Sequence, residues 1–275
     1  MVTKQGFVNM PPKVLTIAGS DSGGAAGLQA DLRTWAVLGA YGLSVLTAVT
    51  AQNSVSVERV QYMSPEFVAD QLNAVLSDYG AVAIKTGFIG QTELILVIAS
   101  KLQQYGCQKI VVDPVLVNHR GQPMFTEAVR WHYVVALMPL AYLITPNVME
   151  TAVLLNSAVP DPTDLPRLAH LATELHRLGA KNILLKGGRD GEDVVDIFYD
   201  GRTTHELRSP YIETENTHGA GDTLSAAVCV ALARGERLDT AVYLAHQFTH
   251  QAILNGANWQ LGAGHGPVFP VIGNP

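Results

Sequence analysis

Asn216-Thr217-His218-Gly219-Ala220-Gly221-Asp222-Thr223-Leu224-Ser225 runs without a break into Ala226-Ala227-Val228-Cys229. A glycine-rich turn thus feeds directly into a helix of small side chains. The first turn of a helix leaves backbone N–H groups without intrahelical partners and carries the positive end of the helix dipole. Such an end suits an anion, and a phosphoryl group in transfer is one. Gly219 and Gly221 permit close backbone approach, and Asp222 places a carboxylate in the first turn. Glycine followed by aspartate is equally ordinary helix-start chemistry. The stretch alone leaves both readings open.

Outward from it, the chain alternates short apolar runs with helical ones. Runs 13–18, 43–50, 82–86, 109–112, 141–144 and 182–185 have the length and composition of strands. Between them, helical patterns run to about residue 38, from Ser64-Pro65 onward, and over 91–105, 126–137 and 164–178; 220–233 and 238–254 finish the chain. Ser64 is a plausible N-cap with Pro65 at the first helical position. Asp200-Gly201, between 194–199 and 203–208, signals a β-hairpin. Continuous apolar strands alternating with helices imply an α/β fold, a mostly parallel sheet covered on both faces. We expect one domain over 13–270 after a loose tail, 1–12, closed by Pro11-Pro12. In such sheets the ligand crevice lies beyond the C-terminal strand ends. The residues there are Gly19 to Gly24, Ala51-Gln52-Asn53, Gly87, Asp113, Asn147 and Lys186.

Composition narrows the function. Hydrophobic residues make up 48% and charged residues 15% of 275, which excludes a disordered chain. A net charge of −6 gives no general hold on nucleic acid or anionic lipid. Cys107 and Cys229 form neither a disulfide framework nor a zinc cluster. No apolar run is long enough for a signal-peptide core or a membrane span, and the expectation is a soluble, cytoplasmic protein. Gly-Lys never occurs, which removes the Walker loop; the dinucleotide fingerprint and the G-x-S-x-G elbow are missing too.

Residues 216–222 resemble the anion-hole motif of ribokinase-fold kinases, G-[AT]-G-[DC]. The flanking Asn-Thr-His and Thr-Leu-Ser-Ala-Ala narrow the resemblance to the hydroxymethylpyrimidine/phosphomethylpyrimidine kinases of thiamine biosynthesis. Further segments agree in order: Ile17-Ala18-Gly19-Ser20-Asp21 with Gly27-Leu28-Gln29-Ala30-Asp31, then 47–53. Thr145-Pro146-Asn147 with Glu150, Leu185-Lys186-Gly187-Gly188 and the closing Gly264-His265-Gly266-Pro267 follow. The resemblance implies a ribokinase-like three-layer sandwich, ATP as co-substrate, Mg²⁺, and an acceptor alcohol on a pyrimidine or pyridine ring. The activity it implies is phosphorylation of the hydroxymethyl group of 4-amino-5-hydroxymethyl-2-methylpyrimidine and of its monophosphate, by a homodimer. The chain departs from the family at three points. Its first turn reads Asp21-Ser22-Gly23-Gly24-Ala25-Ala26-Gly27 rather than Asp-Pro-Ser-Gly-Gly-Ala-Gly. Phe88 stands where Met is usual. Asp222 stands where this branch commonly has Cys, and is typical of sugar and pyridoxal kinases. Phe88 and Asp222 keep a pyridoxal or pyridoxine kinase as the alternative.

The resemblance also implies roles. Asp222 would be the general base, and the Gly219, Ala220 and Gly221 backbone the anion hole. Gln52 would bind the ring, since an amide donates and accepts at once; otherwise it is a loop amide. Asp31 would face the substrate; otherwise it is an exposed helix carboxylate. Gly19 and Ala26 would leave room for the flat ring, or serve turn and packing, and Phe88 and Val115 would line it. Lys186 and Thr217 would bind nucleotide phosphate together with Gly219 and Gly221. Asp113 and Glu150 would serve Mg²⁺, Glu150 through water, because this hard cation keeps its waters. His246 and His250 are four apart, but Gln247 between them breaks H-E-x-x-H, and no metal is expected there.

Overall fold

The computed structural model describes residues 10–118 and 120–271. The expected tail, over residues 1–9, and His119 among the histidines therefore lie outside the described residues. Nine strands form one sheet: β1 (Lys13–Ser20), β2 (Tyr41–Gln52), β3 (Val57–Tyr62), β4 (Ala83–Thr86), β5 (Ile110–Val112), β6 (Leu143–Ile144), β7 (Ile183–Asp190), β8 (Asp193–Tyr199) and β9 (Thr204–Pro210). Their order is β3-β2-β1-β4-β5-β6-β7-β8-β9. The run from β2 to β7 is parallel, whereas β3, β8 and β9 are antiparallel additions at the edges. The chain leaves β1 toward β2 and then returns to its other side as β4, so the sheet switches direction between β1 and β4. A crevice opens at that point.

The alternation of side chains on the central strands assigns the two faces. Leu15, Ile84, Val112, Ile144 and Ile183 point to one face. There they meet α2 (Pro65–Asp78), α3 (Thr92–Gln104), α4 (Glu127–His132), α5 (Val148–Leu155) and α6 (Leu165–Arg177). Val14, Ala83, Val111, Leu143 and Leu184 point to the other face, toward α1 (Gly27–Val37), α7 (Ala220–Ala233) and α8 (Leu238–Gly256). Trp35, fully buried on α1, donates its indole N–H to the carbonyl of Ala226 on α7 (2.9 Å) and locks these helices together.

Local chemistry explains most boundaries. The Ser64 hydroxyl accepts from the Phe67 N–H to start α2, and Asp164 does the same for α6 through Arg167 N. The Asp200-Gly201 turn joins β8 to β9, as its composition predicts. The 126–137 helical pattern is α4 continued as a π-helical stretch, Tyr133–Leu137, ended by Pro139 in a 3₁₀ turn. Two elements escaped the sequence reading. The edge strand β3 is mostly exposed and carries Glu58 and Arg59, so no apolar run marks it. The short helix α5 is apolar almost all round, which hides its period; its signal is the Asn147-x-x-Glu150 capping box. Among the described residues, no helix is long and apolar enough to cross a membrane.

Candidate active site

The turn at the start of α7 is held by contact rather than by sequence alone. Gly219 has φ +81°, and a Cβ there would lie 2.0 Å from the carbonyl oxygen of Ala25. Only glycine meets both conditions. The first turn of the chain, residues 21–26, therefore packs against the turn that opens α7. Asp21 organises it: Oδ1 accepts from Gly23 N (2.8 Å), and Oδ2 from Ala25 N and Ala26 N (both 2.9 Å). Ala26 sits in extended backbone just before α1.

Beneath α7 lie two sets of ion pairs, one centred on Lys85 and one on Lys186. Lys85, fully buried on β4, donates to Asp222 Oδ1 (2.8 Å) and to Asp31 Oδ1. The other Asp31 oxygen accepts from Thr16 (2.6 Å). Burial pushes the Asp31 carboxyl up to about 7, against the pull of Lys85 and with some help from Asp222. Burial alone would lower the Lys85 ammonium, but Asp222 and Asp31 hold it above its ordinary value. The expectation that Asp31 faces the substrate, or solvent, is corrected: it is wholly enclosed, with both oxygens occupied. A helix carboxylate is exposed only when nothing packs over it, and here α7 does.

The second set joins Lys186 at the end of β7's apolar half to Asp113 beyond β5, at 3.1 Å. Thr145 also donates to Asp113 (2.8 Å). Burial would raise Asp113, yet Lys186 and Lys85 outweigh it and hold its carboxyl below the usual range. Burial would lower Lys186, yet Asp113 and Glu150 hold its ammonium up. A Cβ on Gly221 would stand 3.1 Å from Lys186 Nζ, so this glycine lets α7 come down on the pair.

Glu150 has a role the sequence reading missed. Its Oε2 accepts from Asn147 N (2.9 Å) while Asn147 Oδ1 accepts from Glu150 N (2.8 Å), the reciprocal cap of α5. Burial, reinforced by Asp113, pushes its carboxyl up to about 7. Among the described residues no three His, Cys, Asp or Glu are grouped to hold a metal unaided. Asp113 and Glu150 are nonetheless oxygen donors near enough for the Asp113 charge to act on Glu150, which fits a hard cation bringing waters and phosphate oxygens of its own.

Around the crevice mouth, Gln52 Nε2 lies 3.3 Å from His218 Nε2, and His218 lies 3.7 Å from Asp21. Both line a cavity of about 70 Å³ with residues 53–57 and His265. Thr217, exposed, is 3.1 Å from the His265 ring, which the closing strap brings in: His265 N donates to Ser54 O (3.0 Å). Phe88 stacks on Tyr62 (6.1 Å between centroids) and tilts against Phe125 (5.6 Å). A Cβ on Gly19 would come 3.1 Å from the Phe88 ring. The space above Gly19 therefore admits Phe88, an aromatic of this chain. Val115 is half-buried in the loop past Asp113.

A second cavity of about 190 Å³ opens between the β8–β9 hairpin, α7 and α8, reaching Thr217 and Leu224 at one end. In its wall His246 lies 2.7 Å from Ser209 Oγ and 3.0 Å from Asp196 Oδ2. His250 instead meets the Pro210 carbonyl at 3.0 Å, so the two histidines have separate partners. Sequence reasoning missed Lys85, His218, Ser209 and Asp196. Lys85 left a signal as a cation inside an apolar strand, and His218 as part of the Asn216-Thr217-His218 stretch before the glycine turn.

Residues 21–269 match the family described as phosphomethylpyrimidine kinase. The chain is 45% identical to a thiamine biosynthesis bifunctional protein of Geobacter sulfurreducens over 94% of its own length and 52% of that protein. It is 42% identical to a hydroxymethylpyrimidine/phosphomethylpyrimidine kinase of Rhizobium meliloti, covering 92% of this chain and 95% of that one. The chain thus spans about half the length of the first bifunctional relatives and nearly all of the single-function one. The ADP complex of Bacillus subtilis pyridoxal kinase superposes with a TM-score of 0.88 at 33% identity, covering 95% and 98% of the two chains.

Proposed function

We infer the function from the premise that this chain belongs to the phosphomethylpyrimidine kinase family. It transfers the γ-phosphoryl group of ATP to the hydroxymethyl oxygen of 4-amino-5-hydroxymethyl-2-methylpyrimidine and, in a second turnover, to the monophosphate so formed. The observation that carries this reading is the position of Asp222 in the first turn of α7. Oδ1 is held by Lys85, and Oδ2 has no hydrogen-bond partner among the described residues. The acceptor oxygen attacks the γ-phosphorus, its bond to the ADP oxygen breaks, and the alcohol proton goes to that free carboxylate oxygen. The backbone N–H groups from Gly219 to Asp222 receive the charge that develops on the phosphoryl oxygens.

The other roles follow from placement. ATP would extend from Lys186 and Thr217 into the 190 Å³ cavity, where the buried Thr249 hydroxyl has no partner. Gln52 would bind the ring beside His218, with Phe88 and Val115 as walls and Ala26 below. Asp113 and, through water, Glu150 would hold Mg²⁺, which would neutralise phosphate charge. The homodimer implied by the resemblance is part of the same proposal.

Pyridoxal phosphorylation is the second reading, favoured by the likeness to a pyridoxal kinase and by the aromatic wall at Phe88. Product analysis by mass spectrometry, with ATP and each ring alcohol in turn, separates them. We expect mono- and diphosphate of the pyrimidine at a kcat/KM above that for pyridoxal. Turnover of pyridoxal alone would overturn the first reading.

A further inference from the structure

We propose that Lys85 is a positioning residue for phosphoryl transfer: it grips one carboxylate oxygen of Asp222 and leaves the other aimed at the acceptor alcohol, with Asp31 as its fixed counter-charge. The inference rests on the reading of Asp222 as the base. Lys85 stands on β4, opposite Thr16 of β1, in the middle of the parallel sheet. No part of it reaches solvent. A buried ammonium is tolerated only when paired and hydrogen-bonded. Here it is paired twice, by carboxylates from two different helices, α1 and α7.

The two carboxylates are not equivalent. Asp31 is closed off, with Lys85 on one oxygen and Thr16 on the other. Asp222 is 13% exposed and bonded through Oδ1 alone. Of the four carboxylate oxygens, Asp222 Oδ2 alone has no hydrogen-bond partner among the described residues. Gly87 borders the pair: a Cβ there would stand 3.6 Å from Lys85 Nζ and 3.9 Å from Asp222 Oδ1. Fixing one oxygen also fixes the carboxylate plane, which an alcohol approaching in line requires.

Four other groups face this cluster. Asp113 acts on Lys85 from beyond β5, and Lys186 neutralises Asp113. The Cys229 thiol on α7 is pushed up by burial and by Asp31, and stays protonated. Thr16 carries no charge. Lys85 is therefore the cation in direct contact with Asp222.

The test compares the full chain with Lys85→Met and with Lys85→Met/Asp31→Asn, the second removing the counter-charge as well. Rates with the pyrimidine alcohol and ATP are measured from pH 5 to pH 9, and folding is followed by circular dichroism and melting. We expect the double variant to fold and kcat to fall about 10²-fold, with each KM changing less. We also expect the kcat profile against pH to differ in shape from the parent's, because the cation beside the base is gone. A fall equal at every pH, an unchanged kcat, or failure of both variants to fold would assign Lys85 to structure alone and overturn the proposal. Asp222→Asn, run in parallel, separates the two claims. If it keeps its turnover, the base reading fails. If it is inactive while the Lys85 double variant has the parent's profile, only the present inference fails.

Discussion

The two helical layers are built on opposite principles. The layer of α2 to α6 meets the sheet through Leu, Ile and Val almost without exception: Leu72, Leu94, Ile98, Leu171 and Leu175 are all buried. The layer of α1, α7 and α8 meets it through Ala226, Ala227, Val228, Cys229 and Ala231. Under that second layer lie the buried side chains of Asp31, Lys85 and Asp113, whereas the buried carboxylate of the first layer, Glu150, is taken up at its helix start as the cap of α5. Small residues allow α7 to approach the sheet, and close approach excludes water from the charges beneath. One face supplies stability by area and shape; the other gives up part of that area to hold charge where phosphoryl transfer needs it.

The contrast can be broken at several points. The largest expected effect is on the charged face: Asp222→Asn keeps shape and loses basicity, so kcat should fall about 10²–10⁴-fold. Nucleotide affinity, measured by calorimetry, should change little. On the aliphatic face, Ile98→Ala should cost about 2–5 kcal/mol in urea unfolding, as a buried cavity is left. The specific activity of the folded fraction should match the parent; a lower one would tie that face to catalysis.

Ala226→Leu tests the close approach. Overpacking should cost about 1–3 kcal/mol, and kcat should fall as well if α7 carries the proposed base and anion hole. Normal turnover in a destabilised variant would show that the approach of α7 serves packing only. The smallest effect concerns Glu150, whose carboxyl rises from 4.5 to about 7 on folding. The folded chain therefore holds that proton more tightly, and stability is lost as pH rises through this window. In EDTA, Glu150→Gln should match the parent near pH 4.5 and exceed it at pH 8 by on the order of 1–3 kcal/mol. Added Mg²⁺ should narrow the gap. A gap independent of pH would leave Glu150 as a helix cap alone.

What the residues announced by themselves was whatever depends on short spacing. Apolar runs and helical periods place the parallel strands and most helices. Ser64-Pro65 and Asp200-Gly201 mark a helix start and a hairpin, and residues 216–225 mark the glycine turn that opens α7, because caps, turns and helix ends are satisfied by neighbours a few positions away. The edge strand β3 escaped because an exposed strand has no apolar pattern to show, and α5 because a short helix buried all round has no period.

Only the tertiary structure decided which charges meet. Asp31, Lys85 and Asp222 are separated by 54 and 137 positions, and become one cluster when α1 and α7 close over β4. The same stacking turned Asp31 from a substrate-facing carboxylate into an enclosed counter-ion and gave the space above Gly19 to Phe88. It also buried Glu150 while leaving it as the cap of α5. A carboxylate's role depends on what desolvates it and what stands opposite, and both are properties of packing between distant segments.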